Sequence, residues 1–380
     1  MVLSIAFGIH YYVWLRLVAD PMWGAPWGSI ATWALVALGL SIPTAFVAGR
    51  RVPRALALPL SVLAFGWMGL IFLVVMLLLP AELVRAGVAL ARASEQVQAS
   101  GPSFDRVIAA VVCLLGVGAG AVAVSQALRP PRVRTLTVRL EGLPEALRGF
   151  TIVQLTDIHA GSTIGRAFLE DVVRRTNDLD PDVVAITGDL ADGPVSSLRG
   201  EVEPLRGLRA RHGVFFVTGN HEYYSGVVPW LAFLTRLGIR VLRNERVSVE
   251  HLGAKLDIAG VDDWMATGMS PGHGPDLRRA LAGRDVHRTL VLLAHEPKQI
   301  FEAAELGVSL QLSGHTHGGQ IFPFNYFVRL QQPYIRGLHE HGGTQLYVSP
   351  GTGYWGPPMR LGVPGEITRI VLEVAATPAA

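Results

Sequence analysis

The pattern of hydrophobic and polar positions divides the chain at about residue 130. Before that point four long apolar stretches follow one another, from Val2 to Val18, from Ser29 to Ala48, from Ala55 to Leu79 and from Val107 to Leu128. A helix needs about 20 apolar residues to cross the ~30 Å hydrocarbon core of a bilayer. The last three stretches meet that length and the first is marginal. We therefore predict an α-helical transmembrane region of about four spans over residues 1–128.

Other features of this region agree with a membrane location. The first stretch has no basic segment before it and no clear small-residue cleavage site, which argues against a cleaved signal peptide. Charged residues make up 17% of the chain, against about 25% in soluble domains. A transporter is disfavoured because the stretches contain few polar residues beyond His10 and Arg16. Trp residues near the ends of the stretches are typical of interfacial anchors, namely Trp14, Trp23, Trp27 and Trp33.

Arginines near the stretches predict the orientation of the chain in the membrane. Cytoplasmic loops carry an excess of Lys and Arg. Net positive charge is concentrated in the second loop and after the fourth stretch, at Arg50, Arg51, Arg54, Arg129, Arg132 and Arg134. The first loop offers Asp20, and the third balances Arg85 and Arg92 against Glu82 and Glu95. We expect a multi-pass protein of the inner or plasma membrane with its C-terminal domain in the cytoplasm, even if the first stretch does not span.

Charge and cysteine content exclude two further classes of function. The formal net charge is +3 and the arginines are scattered along the chain, so we predict no nucleic-acid partner. The single cysteine, Cys113, lies in an apolar stretch. It can form no disulfide within the chain and cannot build a thiolate metal site alone.

Beyond the apolar region, residues 129–147 begin with Arg129-Pro130-Pro131-Arg132 and are predicted to be a linker. The remainder alternates apolar strands with amphipathic helical stretches, the first of them a helix from Ala167 to Asn177, and this alternation predicts an α/β layered fold. The predicted strands cover residues 150–155, 183–186, 214–217, 290–293, 309–312, 345–349 and 367–374.

Five of these strands are followed directly by Asp, Asn or His. In α/β sheets, ligands bind beyond the carboxyl ends of strands, so these side chains are expected to converge. Imidazole, carboxylate and amide oxygen without thiolate suit Mn, Fe or Zn. One carboxylate between two ions can bridge them at the ~3.5–4 Å spacing of two-metal hydrolases. The segments are Thr156-Asp157-Ile158-His159, Thr187-Gly188-Asp189, Gly219-Asn220-His221-Glu222, Ala294-His295-Glu296 and Gly314-His315-Thr316-His317.

In this order, the five segments resemble the full signature of calcineurin-like metallophosphoesterases over roughly residues 148–375. The segment from Tyr347 to Arg360 resembles that of the bacterial membrane-associated phosphodiesterase branch. The resemblance implies a four-layer α-β-β-α sandwich over residues 148–376. It also implies two divalent metal ions and a metal-dependent phosphoric ester hydrolase.

The resemblance further implies a role for each matching residue. His221 would bind no metal but would lie over the phosphate, where it would protonate the leaving oxygen, as an imidazole can near neutral pH, or stabilise its charge. Asp192, three residues after Asp189, is the expected partner that orients His221. The first metal would be held by Asp157, His159 and His317, the second by Asn220, His295 and His315, and Asp189 would bridge both.

This reading predicts hydrolysis of a phosphodiester or pyrophosphate bond by a metal-bridging hydroxide. The membrane region favours a lipid-linked phosphate as substrate, with a soluble cyclic nucleotide or a phosphoprotein as alternatives. A membrane signalling or scaffolding module that keeps the fold with little turnover is the rival class. Degenerate ligands would mark such a module, and the motifs show none.

Some residues near the motifs receive a simpler interpretation. Glu222 is expected to cap a helix or to support the neighbouring ligands, and not to bind metal. His251, His273 and His287 match no motif and are predicted to be surface histidines. The stretch from Ile321 to Gly343, which includes His339 and His341, is read first as a packed loop. The alternative is a substrate-binding lip in which aromatic side chains touch acyl chains or the bilayer, while Arg329 and Arg336 contact phosphate.

Overall fold

The computed structural model describes residues 2–93 and 102–375. The chain forms two compact units. The helical unit comprises Met1–Leu128 with Gly356–Leu361, and the α/β unit comprises Arg129–Trp355 with Gly362–Ala380. Glu95, counted above in the loop charge balance, and residue 376, the expected domain end, lie outside the described residues.

The helical unit contains three helices that are long and apolar enough to cross a membrane, within Trp27–Gly49, Ala55–Ala91 and Pro102–Ala127. The first apolar stretch is not among them. It forms 13 α-helical residues before the backbone becomes π-helical at Leu15–Ala19. The described residues therefore contain three candidate spans where the sequence predicts about four. The helices are α1 (Val2–Trp14), α2 (Trp27–Arg51), α3 (Arg54–Ala93) and α4 (Pro102–Ala127).

Helix α3 extends well beyond its predicted apolar stretch. Its 40 residues correspond to about 60 Å at 1.5 Å per residue, so Glu82 and Arg85 lie in a helix and not in a loop. Their charges are paired within the unit. Arg16 lies 2.8 Å from both Asp20 and Glu82, and Arg85 lies 3.0 Å from Asp20. Such pairing is how ionised side chains are tolerated close to an apolar environment.

The described residues of the α/β unit form two six-stranded sheets and seven α-helices. The strands are β1 (Arg132–Leu140), β2 (Thr151–Leu155), β3 (Val183–Thr187), β4 (Val214–Val217), β5 (Arg240–Val241), β6 (Glu245–His251), β7 (Ala254–Gly260), β8 (Leu290–Leu293), β9 (Leu310–Ser313), β10 (Gly337–His341), β11 (Thr344–Val348) and β12 (Glu366–Val374). The helices are α5 (Arg166–Asn177), α6 (Val195–Val202), α7 (Asn220–Ser225), α8 (Val227–Arg236), α9 (Leu277–Ala280), α10 (Ile300–Glu305) and α11 (Asn325–Val328).

The order of the strands brings the predicted segments to one edge of each sheet. The first sheet runs β1-β12-β2-β3-β4-β5 and the second β10-β11-β9-β8-β7-β6. Strands β2, β3 and β4 are parallel neighbours, and so are β7, β8 and β9. We call the edge at which their carboxyl ends meet the carboxyl edge, and the opposite one the amino edge. One apolar core contains side chains of both sheets, among them Ile152, Phe215, Ile258 and Leu312.

Residues 129–147, expected to be a linker, include a strand of the first sheet. Strand β1 pairs in parallel with β12 from Arg132 opposite Glu366 to Leu140 opposite Val374. Val138 and Leu140 are buried in the core shared by the sheets, whereas Arg132 and Arg134 are exposed. The alternation of arginines with apolar residues reflects an edge strand with one solvated face.

Candidate metal centre

The carboxyl edge gathers all seven of the predicted metal ligands. Four of them are almost completely buried: Asp157, His159, Asp189 and His295 are 0%, 2%, 2% and 1% exposed. Burying ionisable groups is costly unless they are paired or bind a metal. The strand ends deliver them as follows: Asp157 and His159 after β2, Asp189 after β3, Asn220 after β4, His295 after β8, and His315 and His317 after β9.

One group of donors consists of Asp157, His159 and His317. The Nε2 atoms of His159 and His317 are 3.0 Å apart, and His317 Nε2 lies 3.4 Å from Asp157 Oδ1. The backbone N–H of His315 donates to both carboxylate oxygens of Asp157, at 3.0 and 3.1 Å. These bonds hold the Asp157 carboxylate facing the two imidazoles.

A second group consists of Asp189, His295 and His315, with Asn220 beside them. His295 Nε2 lies 3.1 Å from Asp189 Oδ2 and 3.2 Å from His315 Nδ1, which is itself 3.1 Å from Asn220 Oδ1. The N–H at Nδ1 of His295 donates to the carbonyl of Thr187 at 2.7 Å, so its Nε2 is free to accept. Asp189 Oδ2 also lies 3.8 Å from His159 Nε2, between the two groups.

Most of the seven predicted metal ligands have an unusual backbone conformation. Five of the seven have a positive φ, which non-glycine residues rarely adopt and which costs of order 1–3 kcal/mol each. Tight turns directly after the strands impose this conformation and turn each side chain towards the centre. The residues are Asp157 (50°), His159 (54°), Asp189 (53°), His315 (69°) and His317 (50°).

Two glycines allow the strand ends to approach one another. A Cβ on Gly219 would lie 2.2 Å from Asp189 Oδ1, and a Cβ on Gly314 would lie 2.1 Å from Asp157 Oδ2. Neither distance is compatible with a side chain. These positions must therefore remain glycine for the two carboxylates to occupy their places.

Glu222 caps helix α7, as the sequence predicts. Its carboxylate accepts the N–H groups of Gly219 at 2.7 Å, Asp189 at 3.0 Å and Leu190 at 2.8 Å. Burial, followed by the charge of Asp189, raises the pKa of Glu222 to about 7. The side chain thus joins the turn after β3 to the turn after β4.

His221 and Asp192 lie together beside the first group. Asp192 Oδ1 accepts from Nδ1 of His221 at 2.6 Å and also from Nδ1 of His159 at 2.8 Å. The sequence predicts the first contact but not the second, through which Asp192 orients a predicted ligand. Burial alone would lower the pKa of His221, but Asp189 and Asp192 raise it to about 9.

The electrostatics of the centre favour a cation. Burial would raise the pKa of Asp189, yet His295 and His221 hold it well below its usual range. Burial would lower the pKa of His295, yet the nearby carboxylates, Asp189 first, hold it well above its usual range. His295 thus takes up a proton that balances the buried carboxylate of Asp189. With two pairs of histidine nitrogens 3.0 and 3.2 Å apart, the donor set fits borderline-hard divalent ions.

Two buried carboxylates that follow β7, Asp262 and Asp263, were not identified from the sequence. Asp263 follows β7, a strand that was not predicted, and is 1% exposed. Burial raises the pKa of Asp263 to about 7, against the opposing charge of His295. The apolar run from Ile258 to Val261, directly before Asp262 and Asp263, is the signal that could have identified them.

Two of the three histidines predicted to lie on the surface have defined partners instead. His273 Nδ1 lies 3.2 Å from the Tyr223 hydroxyl, and His251 packs against Phe150 and His212. Their side chains are only 11% and 13% exposed. The prediction failed because the apolar surroundings come from other strands and loops, which no local pattern reveals.

Two sheets with a common core, which bring His and Asp to one edge, define a metallophosphoesterase fold. Residues 150–319 match the family described as calcineurin-like phosphoesterase. The chain is 40% identical over 329 residues to the "Transmembrane protein with metallophosphoesterase domain" of Danio rerio, covering 83% of this chain and 74% of that protein. The chain therefore belongs to the calcineurin-like phosphoesterase family.

Two further relatives are similar over a shorter range. The Bos taurus "Transmembrane protein with metallophosphoesterase domain" is 45% identical over 260 residues, covering 66% of this chain and 59% of that protein. An "Uncharacterized metallophosphoesterase" of Helicobacter pylori strain J99 is 42% identical over 249 residues, covering 65% of each chain. The similarity thus spans less than two thirds of both relatives.

Proposed function

We propose that this protein is a membrane-anchored, two-metal phosphoesterase that hydrolyses a phosphodiester or pyrophosphate bond. One observation carries the proposal: two groups of buried His and Asp donors meet at Asp189, whose Oδ2 lies 3.1 Å from His295 and 3.8 Å from His159. A carboxylate placed between two such groups is positioned to bridge two ions.

The ligands divide between the two ions as the motifs imply. Asp157, His159 and His317 would hold one ion, and Asn220, His295 and His315 the other, with Asp189 shared. When bound, Mn, Fe or Zn ions would polarise a phosphoryl oxygen and supply hydroxide near neutral pH. Asp192 and the Thr187 carbonyl fix the tautomers of His159 and His295, so that each presents Nε2 to the centre.

His221 is proposed to deliver the proton to the leaving oxygen. Its Nδ1 is held by Asp192 at 2.6 Å, which leaves Nε2 to donate. Its backbone N–H donates to Asp189 Oδ1 at 2.9 Å, which fixes the residue beside the shared carboxylate. With a pKa of about 9, the imidazole carries its proton at neutral pH and can act as a general acid.

A lipid-linked phosphate is the substrate class we favour. Residues 321–336, here called the lip, follow the predicted ligand His317 closely. Ile321 and Ile335 are buried at its ends, yet Phe322, Tyr326 and Leu330 are 54%, 58% and 83% exposed. A packed loop would bury such side chains, whereas contact with acyl chains or a bilayer surface would cover them. Arg336 lies beside Gly318, the residue after the predicted ligand His317. A Cβ at Gly318 would lie 3.3 Å from Arg336 Cδ.

The finer architecture and the orientation are also proposed. We infer that the helices of the α/β unit cover the outer faces of the sheets and make four layers, and that the first apolar stretch adds a fourth span. The α/β unit would lie in the cytoplasm, at the inner or plasma membrane, whether or not that stretch spans, since the arginines at Arg129, Arg132 and Arg134 directly follow α4. A C-terminal green fluorescent protein fusion in a bacterial host should fluoresce; activity of a C-terminal alkaline phosphatase fusion would contradict this orientation.

The first test is hydrolysis of an aryl phosphodiester, with an aryl phosphomonoester alongside. The purified full chain would be stripped of metal and resupplied with Mn, Zn or Fe, next to Asp189→Asn. Turnover that requires metal and that Asp189→Asn abolishes would support the proposal. Asp285→Asn, at an exposed carboxylate (side chain 44% exposed), is the matched control and should retain activity. A folded, metal-loaded protein with no turnover would favour the signalling module.

The second test concerns the lip and keeps the substrate class separate from the reaction. Phe324 and Phe327 are 42% and 47% exposed, so covering the rest of each ring contributes about half of the ~1.5–3 kcal/mol of full burial. Phe324→Asp with Phe327→Asp should therefore lower turnover of a phospholipid in mixed micelles by about tenfold or more. Turnover of the aryl phosphodiester should stay within about twofold. Arg329→Ala and Arg336→Ala should likewise affect only the lipid. Leu252→Asp, at an 80% exposed apolar position, is the control. Equal turnover of the phospholipid by all variants would exclude the lip as a binding site for a lipid substrate.

A further inference from the structure

A second set of metal-binding side chains lies at the amino edge. Asp182 directly precedes β3, His212 lies just before β4, and His251 ends β6. One donor atom from each of these residues lies within 4.8 Å of the others. Strands β3 and β4 belong to the first sheet and β6 to the second. The three side chains therefore join the two sheets at the edge opposite the predicted ligands.

The spacing of the donors is that of a metal site. His212 Nε2 lies 3.1 Å from His251 Nδ1, which lies 3.9 Å from Asp182 Oδ1. Donors bound 2.0–2.1 Å from a tetrahedral zinc ion are roughly 3.3 Å apart. The histidine nitrogens have a similar spacing at the carboxyl edge, 3.0 and 3.2 Å. The carboxylate oxygens there are closer to the histidines, at 3.4 and 3.1 Å, than the 3.9 Å at the amino edge.

The neighbouring residues hold the donors in place. Phe150 stacks on His212 with ring centroids 5.7 Å apart and meets His251 edge-on at 5.2 Å. Asp182 Oδ2 accepts the backbone N–H of Thr151 at 2.8 Å and its hydroxyl at 3.0 Å, which leaves Oδ1 directed to Arg211 at 2.6 Å. Since the Arg211 side chain is 55% exposed, it can move aside when a cation binds Oδ1.

We propose that Asp182, His212 and His251 bind a structural zinc ion that fastens the two sheets together at the amino edge. Seven residues separate Asp182 from Asp189, roughly 20 Å at about 3.3 Å per residue along a strand. The ion would therefore take no part in hydrolysis. Two imidazoles and one carboxylate would leave the fourth tetrahedral position for water.

The test counts zinc ions in the full chain. Protein in detergent would be loaded with Zn²⁺, dialysed against metal-free buffer and analysed for zinc per chain by mass spectrometry. His212→Ala and His251→Ala should each hold one zinc ion fewer than the wild type, with turnover of an aryl phosphodiester unchanged. His287→Ala, at a position in none of the donor groups, should lose none. Equal zinc content in His251→Ala and the wild type would overturn the proposal.

A second measurement covers the case in which these variants fold poorly. Asp157→Asn with Asp189→Asn removes the carboxylate from both donor groups at the carboxyl edge and leaves the amino edge unchanged. This double variant should retain one zinc ion, and a chelator should lower its unfolding midpoint. Adding Arg211→Gln should not reduce the zinc content, because the guanidinium competes with the ion for Asp182. A double variant without bound zinc, or with a midpoint that a chelator does not change, would overturn the site independently of the proposed hydrolysis.

Discussion

His and Asp side chains lie at both ends of strands β3 and β4, but the backbone conformation of these residues differs between the two edges. At the carboxyl edge Asp157, His159 and Asp189 have positive φ values near 50°. At the amino edge none of Asp182, His212 and His251 has a positive φ. Strained backbone persists only where the surrounding structure imposes it, and it concentrates at functional sites. This difference supports the proposed chemistry at the carboxyl edge and the proposed structural role at the amino edge.

Among substitutions that leave the predicted metal ligands unchanged, a change at His221 should lower kcat the most. Without its proton donor, His221→Asn should lose about 10²–10⁴-fold in kcat for the aryl phosphodiester. Asp189 and Asp192 raise the pKa of His221 to about 9, so wild-type activity should fall as pH rises through that value. Bound cations would move this limb to lower pH. The pH profile of kcat checks both points, and a variant that keeps the wild-type alkaline limb would remove His221 from the mechanism.

A single added carbon at the carboxyl edge should have the next largest effect. Gly219→Ala would place a Cβ 2.2 Å from Asp189 Oδ1, so the carboxylate must move. A displacement of about 1 Å in a catalytic site costs about 100-fold. Gly200→Ala is the matched control, because a Cβ there meets nothing within 4 Å. Comparable activities of the two variants would show that hydrolysis does not depend on the position of the Asp189 carboxylate.

Asp192→Asn should cost less, about tenfold, because Asp192 acts through the histidines that it orients. Its carboxylate accepts from His159 at 2.8 Å and from His221 at 2.6 Å. Since the negative charge of Asp192 helps to raise the pKa of His221, its removal should also shift the alkaline limb to lower pH. A purely structural role would lower activity at every pH alike, and the pH profile separates the two.

Phe150→Leu at the amino edge should leave turnover unchanged. Phe150 is 1% exposed and contacts both His212 and His251, so we expect a loss of about 1–2 kcal/mol in the free energy of unfolding. Denaturant unfolding and kcat, measured on the same preparation, test this separation. A fall in kcat of the folded variant would show that the amino edge affects catalysis, contrary to the separation of roles proposed for the two edges.

The accuracy of the sequence predictions varied with the kind of strand. Strands β2, β3, β4, β8 and β9 are short apolar runs buried on both faces, and their positions were predicted to within one or two residues. Strands β1, β5, β6, β7 and β10 were not predicted. Most of these mix charged with apolar residues, because one face is solvated, and such a pattern also fits a polar linker or loop. The predicted linker over 129–147 failed for this reason.

The sequence was sufficient to predict the family, three membrane-compatible stretches and the residues that the structure brings together at the carboxyl edge. Those residues follow strands, and strand order in a parallel sheet converts their spacing into proximity. Which side-chain atoms face one another could be seen only in the tertiary structure. It showed that Asp192 orients His159 as well as His221, that Asp263 is buried near the centre, and that His251 meets His212 across two sheets. These contacts join segments distant in sequence, and their geometry depends on backbone turns and packing that no local pattern encodes.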